Sequence, residues 1–169
     1  MTDAQPPVLT PVPSDATENP LLTASSLPNH APPFDRIAEA HYLPAIEAAI
    51  AQARAAIHAV RDNPAAPDFQ NTIVALETAS ETLGYANGIF YNQLSVMETD
   101  GLQDLARTIG PLSSNFGNDI LFDPALFARV RAVYDQRDSL GLNAEQTMLL
   151  DETYKDFVRG GALLDEGKK

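Results

Sequence analysis

From Ile73 to Met97 the chain holds one pattern: Ile73, Leu76, Ser80, Leu83, Asn87, Phe90, Leu94 and Met97, in alternating steps of three and four. Positions at that spacing share one stripe of an α-helix. They scatter over both faces of a strand, whose period is two. A stripe this long must be buried against something, and no other segment alternates β-branched and polar residues as a sheet would. The fold class is therefore all-α, an irregular bundle of about five helices preceded by a Pro-rich extended N-terminal tail.

Proline sets where that bundle begins. Pro6, Pro7, Pro11, Pro13, Pro20, Pro28, Pro32 and Pro33 all precede Phe34. Each removes a backbone donor and turns the preceding residue away from helix. Residues 1–18 read as a disordered tail. Residues 19–33 read as extended, with Leu21, Leu22 and Leu27 available to pack. The helical region, 19–169, then follows. Its first helix carries Ile46, Ile50, Ile57 and Val60 and ends at Asn63-Pro64. Asp68 is the expected N-cap of the second, which runs to Met97. Gly84 and Gly88 within it are expected to permit a close helix approach or to mark a bend. A third helix starts at Asp100-Gly101 with Leu102, Leu105, Ile109 and Leu112, and Gly110-Pro111 should kink or interrupt it. Asp123-Pro124 opens a fourth, presenting Leu126, Phe127, Val130, Val133 and Tyr134. Asn143 and Gln146 form a capping box for a fifth, whose buried face is Leu150, Tyr154, Phe157, Val158, Gly161 and Leu164.

Composition closes off several functions. The net charge of −12 repels phosphate backbones and anionic headgroups, so neither nucleic acid nor a membrane surface is an expected partner. There is no cysteine, hence no thiolate zinc site and no cysteine nucleophile. No apolar run approaches the roughly 20 residues that span a bilayer. The start, Met1 to Pro7, lacks the basic and apolar regions of a secretory signal, so the expected location is cytoplasmic.

Catalytic chemistry is hard to assemble from what remains. The histidines are His30, His41 and His58, and none begins a His-Glu-x-x-His helix. His41 and His58 stand seventeen residues apart, roughly 25 Å along a helix. Asp135 with Asp138, and Asp151 with Glu152, lie on charged helix surfaces rather than in settings that raise a carboxyl pKa. Gly160-Gly161 falls late in a helix, where it serves close packing or a kink rather than phosphate binding. No catalytic, cofactor or metal residue is assigned. Among the aromatics, Phe90 belongs to the apolar stripe, whereas Tyr85 and Tyr91 lie on other faces and are candidates to line a groove for a peptide.

Several blocks carry a family resemblance. Phe34-Asp35-Arg36-Ile37 and His41 to Ile46 come first, then Pro67-Asp68-Phe69-Gln70-Asn71-Thr72-Ile73 through Glu77. Ala125 to Val130, Tyr134 to Glu145 and Tyr154 to Ala162 follow. In this order they resemble the opening of the M3 zinc metallopeptidases, the thimet-oligopeptidase class. Within it the likeness is to the peptidyl-dipeptidases first and oligopeptidase A second. The resemblance implies a helical channel wall in an enzyme that cleaves short peptides. It also implies a zinc ion and a glutamate base in a catalytic half whose motif this chain does not contain. The chain alone is then inactive, and the alternative is a free-standing helical protein that binds peptides or a partner. A homodimer of the isolated chain is a further expectation, because the Ile73–Met97 stripe and the Leu150–Leu164 face cannot both be assigned to one core from sequence.

Overall fold

The computed structural model describes residues 19–163. The expected tail, residues 1–18, and Leu164 lie outside the described residues. Those described form helices and connecting segments with no strand among them.

The segment before the first helix is tied down by its first residue. The Asn19 side chain donates to the His41 carbonyl at 2.8 Å and accepts the Leu21 N–H at 3.0 Å. That seats Leu21 in the core, fully buried. Leu22 packs against the core edge, and Leu27 stays 42% exposed. Helix α1 (Glu39–Arg61) opens with the His41 Nδ1 accepting the Ala38 N–H at 3.0 Å. Its buried stripe is Tyr42, Ala45, Ile46, Ala49, Ala53, Ile57 and Val60. Small residues in that stripe let α1 lie at the centre, against α2, α3, α4 and α5. Burial, and secondarily the Glu39 charge, push the Tyr42 phenol pKa up.

Asp68 caps as expected: it accepts the Asn71 N–H at 2.7 Å, and the Asn71 side chain accepts the Asp68 N–H at 3.0 Å. The helix it starts departs from expectation in two ways. It opens as a π-helical turn, Phe69–Val74, before α2 (Ala75–Ala79). It then breaks at Ser80 and resumes as α3 (Glu81–Met97). The bend therefore belongs to Ser80 and not to the glycines. A Cβ on Gly84 or Gly88 would meet nothing within 4 Å, so neither serves a close approach. The Thr78 hydroxyl donates back to the Val74 carbonyl at 3.1 Å, a bond that competes with the helix ladder and bends it. A glycine costs a helix only about 1 kcal/mol, less than α3 gains by burying Leu83, Ala86, Ile89 and Phe90.

Helix α4 (Asp100–Leu121) runs through Pro111 without interruption. Leu102 and Ile109 before the proline and Phe116 after it are buried on the same helix, and packing against α1 and α3 holds the two halves together. Its N-cap, Thr99, accepts the Leu102 N–H at 3.2 Å and donates to the Glu39 carboxylate at 2.6 Å, joining the starts of α1 and α4. Helix α5 (Pro124–Tyr134) is capped by Asp123 through the Ala125 and Leu126 N–H groups. Gly141 turns the chain with φ of 63°, and α6 (Ala144–Arg159) begins with the expected Asn143–Gln146 capping box. Gly160 is a packing glycine: a Cβ there would stand 3.0 Å from that of Leu121.

Both apolar faces left competing by the sequence enter the same core. Ile73, Leu83 and Phe90 join Leu150 and Phe157 in one buried cluster around α1. At its α5–α6 edge the aromatic rings form a column. Tyr134 stacks on Tyr154 at 3.9 Å, Phe127 follows at 5.8 Å, and the Arg137 guanidinium lies 4.5 Å over Tyr134. Offset stacks of this kind add about 0.5–1.5 kcal/mol beyond area burial.

Candidate functional site

Among the described residues the one buried charge is Arg129, 8% exposed. Its Nη1 donates to the carbonyls of Asn63 and Ala65 at 2.8 and 3.2 Å, and its Nη2 to the Asn71 Oδ1 at 3.0 Å. The Asn71 Nδ2 in turn donates to the Asp68 carboxylate at 2.9 Å. No carboxylate contacts the guanidinium directly among the described residues, so its counter-charge is relayed through an amide. This group pins the α1–α2 connection and the π-turn to α5. The sequence carried a signal for it, since Arg129 falls between Leu126 and Val133 on the apolar stripe of α5.

Tyr85 lines a cleft of about 270 Å³ between α3 and the N-terminal segment, together with Leu21, Leu22, His30 and Glu81. Polar and apolar residues both line it, and the surface they expose to it is mostly apolar. The Tyr85 hydroxyl itself is buried and has no hydrogen-bond partner among the described residues. His30 sits in the left-handed region, φ 55°, as does Asn29, φ 56°. The His30 Nδ1 is 3.2 Å from the Ser25 carbonyl, and the Ser25 hydroxyl donates to the Ala31 carbonyl at 2.6 Å. Serine and histidine are thus both spent on holding the loop, and no nucleophile–base pair forms. The cleft can accept an apolar group. Tyr91 is elsewhere: it is 42% exposed, edge-on to Phe90 at 5.0 Å, with its hydroxyl facing α4 near Gly110. The two tyrosines are not brought into one groove.

The histidines are equally dispersed. His41 caps α1, His30 fastens the N-terminal loop, and His58 lies exposed on α1. No three His, Asp or Glu side chains among the described residues come together in a group able to hold a metal ion. The described residues do not fit a zinc site. No described helix is long and apolar enough to cross a membrane.

No family model matches the chain. Similarity to individual proteins is extensive. A dipeptidyl carboxypeptidase of Salmonella typhimurium is 43% identical over 151 residues, 89% of this chain. A dipeptidyl carboxypeptidase of Escherichia coli is 41% identical over 153 residues, 90% of the chain. Oligopeptidase A of Salmonella typhimurium is 29% identical over 151 residues. The chain spans 22% of the length of each of these relatives. Over the region they share, this chain is similar to the M3-family peptidases.

Proposed function

We propose that this chain is the N-terminal helical wall of a zinc-dependent M3 peptidase that cleaves short peptides as a peptidyl-dipeptidase, and that it is inactive by itself. The observation that carries the reading is the 43% identity over 89% of the chain, against 22% of the relative's length. The higher identity to the two dipeptidyl carboxypeptidases than to oligopeptidase A favours the dipeptidase assignment. Zinc and the general base would come from the catalytic half, with this region limiting entry to unfolded peptides, in the cytoplasm. The test is to replace the matching region of the Escherichia coli dipeptidyl carboxypeptidase with residues 19–163. Restored release of C-terminal dipeptides, with no turnover by the metal-loaded isolated chain, is the expected result. Turnover by the isolated chain that is lost with a substitution inside it would overturn the proposal.

The Tyr85 cleft favours a second reading, a free-standing peptide-binding protein. Calorimetry of the isolated chain with short apolar peptides separates the two. Saturable binding lost in Tyr85→Ala supports binding by this chain alone.

A further inference from the structure

A second cleft, distinct from that of Tyr85, opens where α2 breaks from α3. It has a volume of about 280 Å³ and lies between α1, α2, α4 and α6. Ile57, Leu76, Leu121 and Phe157 contribute apolar wall, while Glu77 and Asp156 stand on α2 and α6. Among the described residues no cationic side chain lines it. Glu77 makes no ion pair among the described residues, and Asp156 has only the surface Arg159, at 3.4 Å. The neighbouring surface is different. There Arg54 pairs with Asp119 at 2.8 Å and Arg61 with Asp123 at 3.5 Å.

We propose that this cleft docks an arginine side chain carried by a second polypeptide segment, its methylenes on the apolar wall and its guanidinium between Glu77 and Asp156. Charge complementarity selects a cation. Two carboxylates on different helices, with no third ligand, do not make a metal site. An apolar wall beside two carboxylates suits a cation with an aliphatic stem, and such stems bury while their heads stay near water. Ser80 and Thr153 add hydroxyl oxygens, and the Thr153 hydroxyl already donates to the Leu149 carbonyl at 2.8 Å, leaving its lone pairs to accept. Several divergent acceptors match the five-donor guanidinium better than an ammonium. The volume falls just below the roughly 300 Å³ at which small-molecule sites begin, which fits one side chain. The docking surface rests on this cleft alone and not on the peptidase reading.

The experiment is an amide NMR titration of the full chain with acetyl-Gly-Arg-Gly-amide, using acetyl-Gly-norleucine-Gly-amide as the uncharged control. The expected result is saturable shifts clustered at Leu76–Ser80, Ile120–Leu121 and Thr153–Phe157. Glu77→Gln/Asp156→Asn should weaken the Kd at least tenfold, and Glu98→Gln/Glu145→Gln, which removes the same charge elsewhere, should leave it unchanged. Each variant's own spectrum reports that it is folded. Shifts spread over the acidic surface, equal weakening by both variants, or equal binding of the norleucine peptide would overturn the proposal. So would arginine-peptide binding seen only in Lys168→Ala/Lys169→Ala, which would make the chain's own lysines the occupant.

Discussion

At the scale of single residues, the two buried polar groups with unused bonding capacity, Arg129 and Tyr85, have opposite consequences. Arg129 leaves its Nε unpaired but satisfies two loop carbonyls and the Asn71–Thr72 edge of the π-turn. Removing it strands those acceptors, so Arg129→Met should cost about 3 kcal/mol in urea unfolding. Arg129→Lys should recover less than half, because one ammonium cannot reach both groups that the planar fork spans. Full recovery by lysine would mean that only the charge matters. Tyr85 places a hydroxyl where nothing receives it. Tyr85→Phe should therefore raise stability by about 1 kcal/mol, the order of an unmet buried hydrogen bond. A loss of stability would mean that the hydroxyl has a partner. The two residues are unequally legible. Tyr85 draws notice because it leaves the apolar stripe of its helix. Arg129 does not, because an arginine on an apolar stripe reads as a stem lying across a surface, and its acceptors come from residues 57 to 66 positions away. Backbone carbonyls leave no mark in a sequence.

At the scale of elements, the joints between helices are made by side chains that cap one helix from another. Glu39 of α1 accepts from Thr99 at the start of α4, and a Cβ on Gly101 would fall onto the Glu39 Oε2, within 2.9 Å of its carboxyl carbon. Gly101→Ala gains up to about 1 kcal/mol of helix propensity and loses a hydrogen bond of similar worth. It should be nearly neutral in the native chain and stabilising by about 1 kcal/mol in Glu39→Ala. The same effect in both backgrounds would remove Glu39 from the joint. At the other end of α1, Arg61 bonds Asp62 at 2.7 Å and reaches Asp123, the cap of α5, at 3.5 Å. The Arg61 hydrogen bond holds the Asp62 carboxyl below the usual carboxylate range. A carboxyl whose pKa is depressed by folding contributes stability above its unfolded pKa, about 3.9, and loses it as pH falls through the folded value. Arg61→Gln should therefore lower Tm at pH 7, and the gap to the native chain should close on acidification. A gap that stayed constant down to pH 2 would assign the contribution to packing of the arginine stem. Caps such as Asp68, Asp123 and Asn143 were readable because each sits within three residues of the N–H it serves. Glu39 was not, because its partner lies 60 residues away. The break at Ser80 was hidden for a related reason: glycine draws the eye, whereas the bending bond comes from an ordinary threonine, Thr78.

At the scale of the whole molecule, periodicity revealed the helices but not their partners. It left the Ile73–Met97 stripe and the Leu150–Leu164 face as rivals for one core, and from that rivalry came the expectation of a homodimer. The structure removes the premise. Ile73, Leu83, Phe90, Leu150 and Phe157 are all at most 5% exposed within one cluster, made possible by α1, whose Ala45, Ala49 and Ala53 let helices approach from several sides. What remains outside among the described residues is dispersed along the chain. Leu27 and Phe34 precede α1, Tyr91, Val96 and Met97 lie on α3, Phe122 follows α4, Met148 lies on α6, and Leu163 follows it. Scattered apolar residues are normal on a monomer, and association needs a contiguous patch of several hundred Å² or more. The charge of −12 adds repulsion between copies. We therefore expect a monomer by sedimentation velocity at micromolar concentration, unchanged from low to moderate salt. A dimer that strengthens as salt screens the charge would show that these residues make a common surface, and Val96→Ser/Met97→Ser would then be the variant to dissolve it. A dimer indifferent to that variant and to Phe122→Ser would place the contact on a different surface.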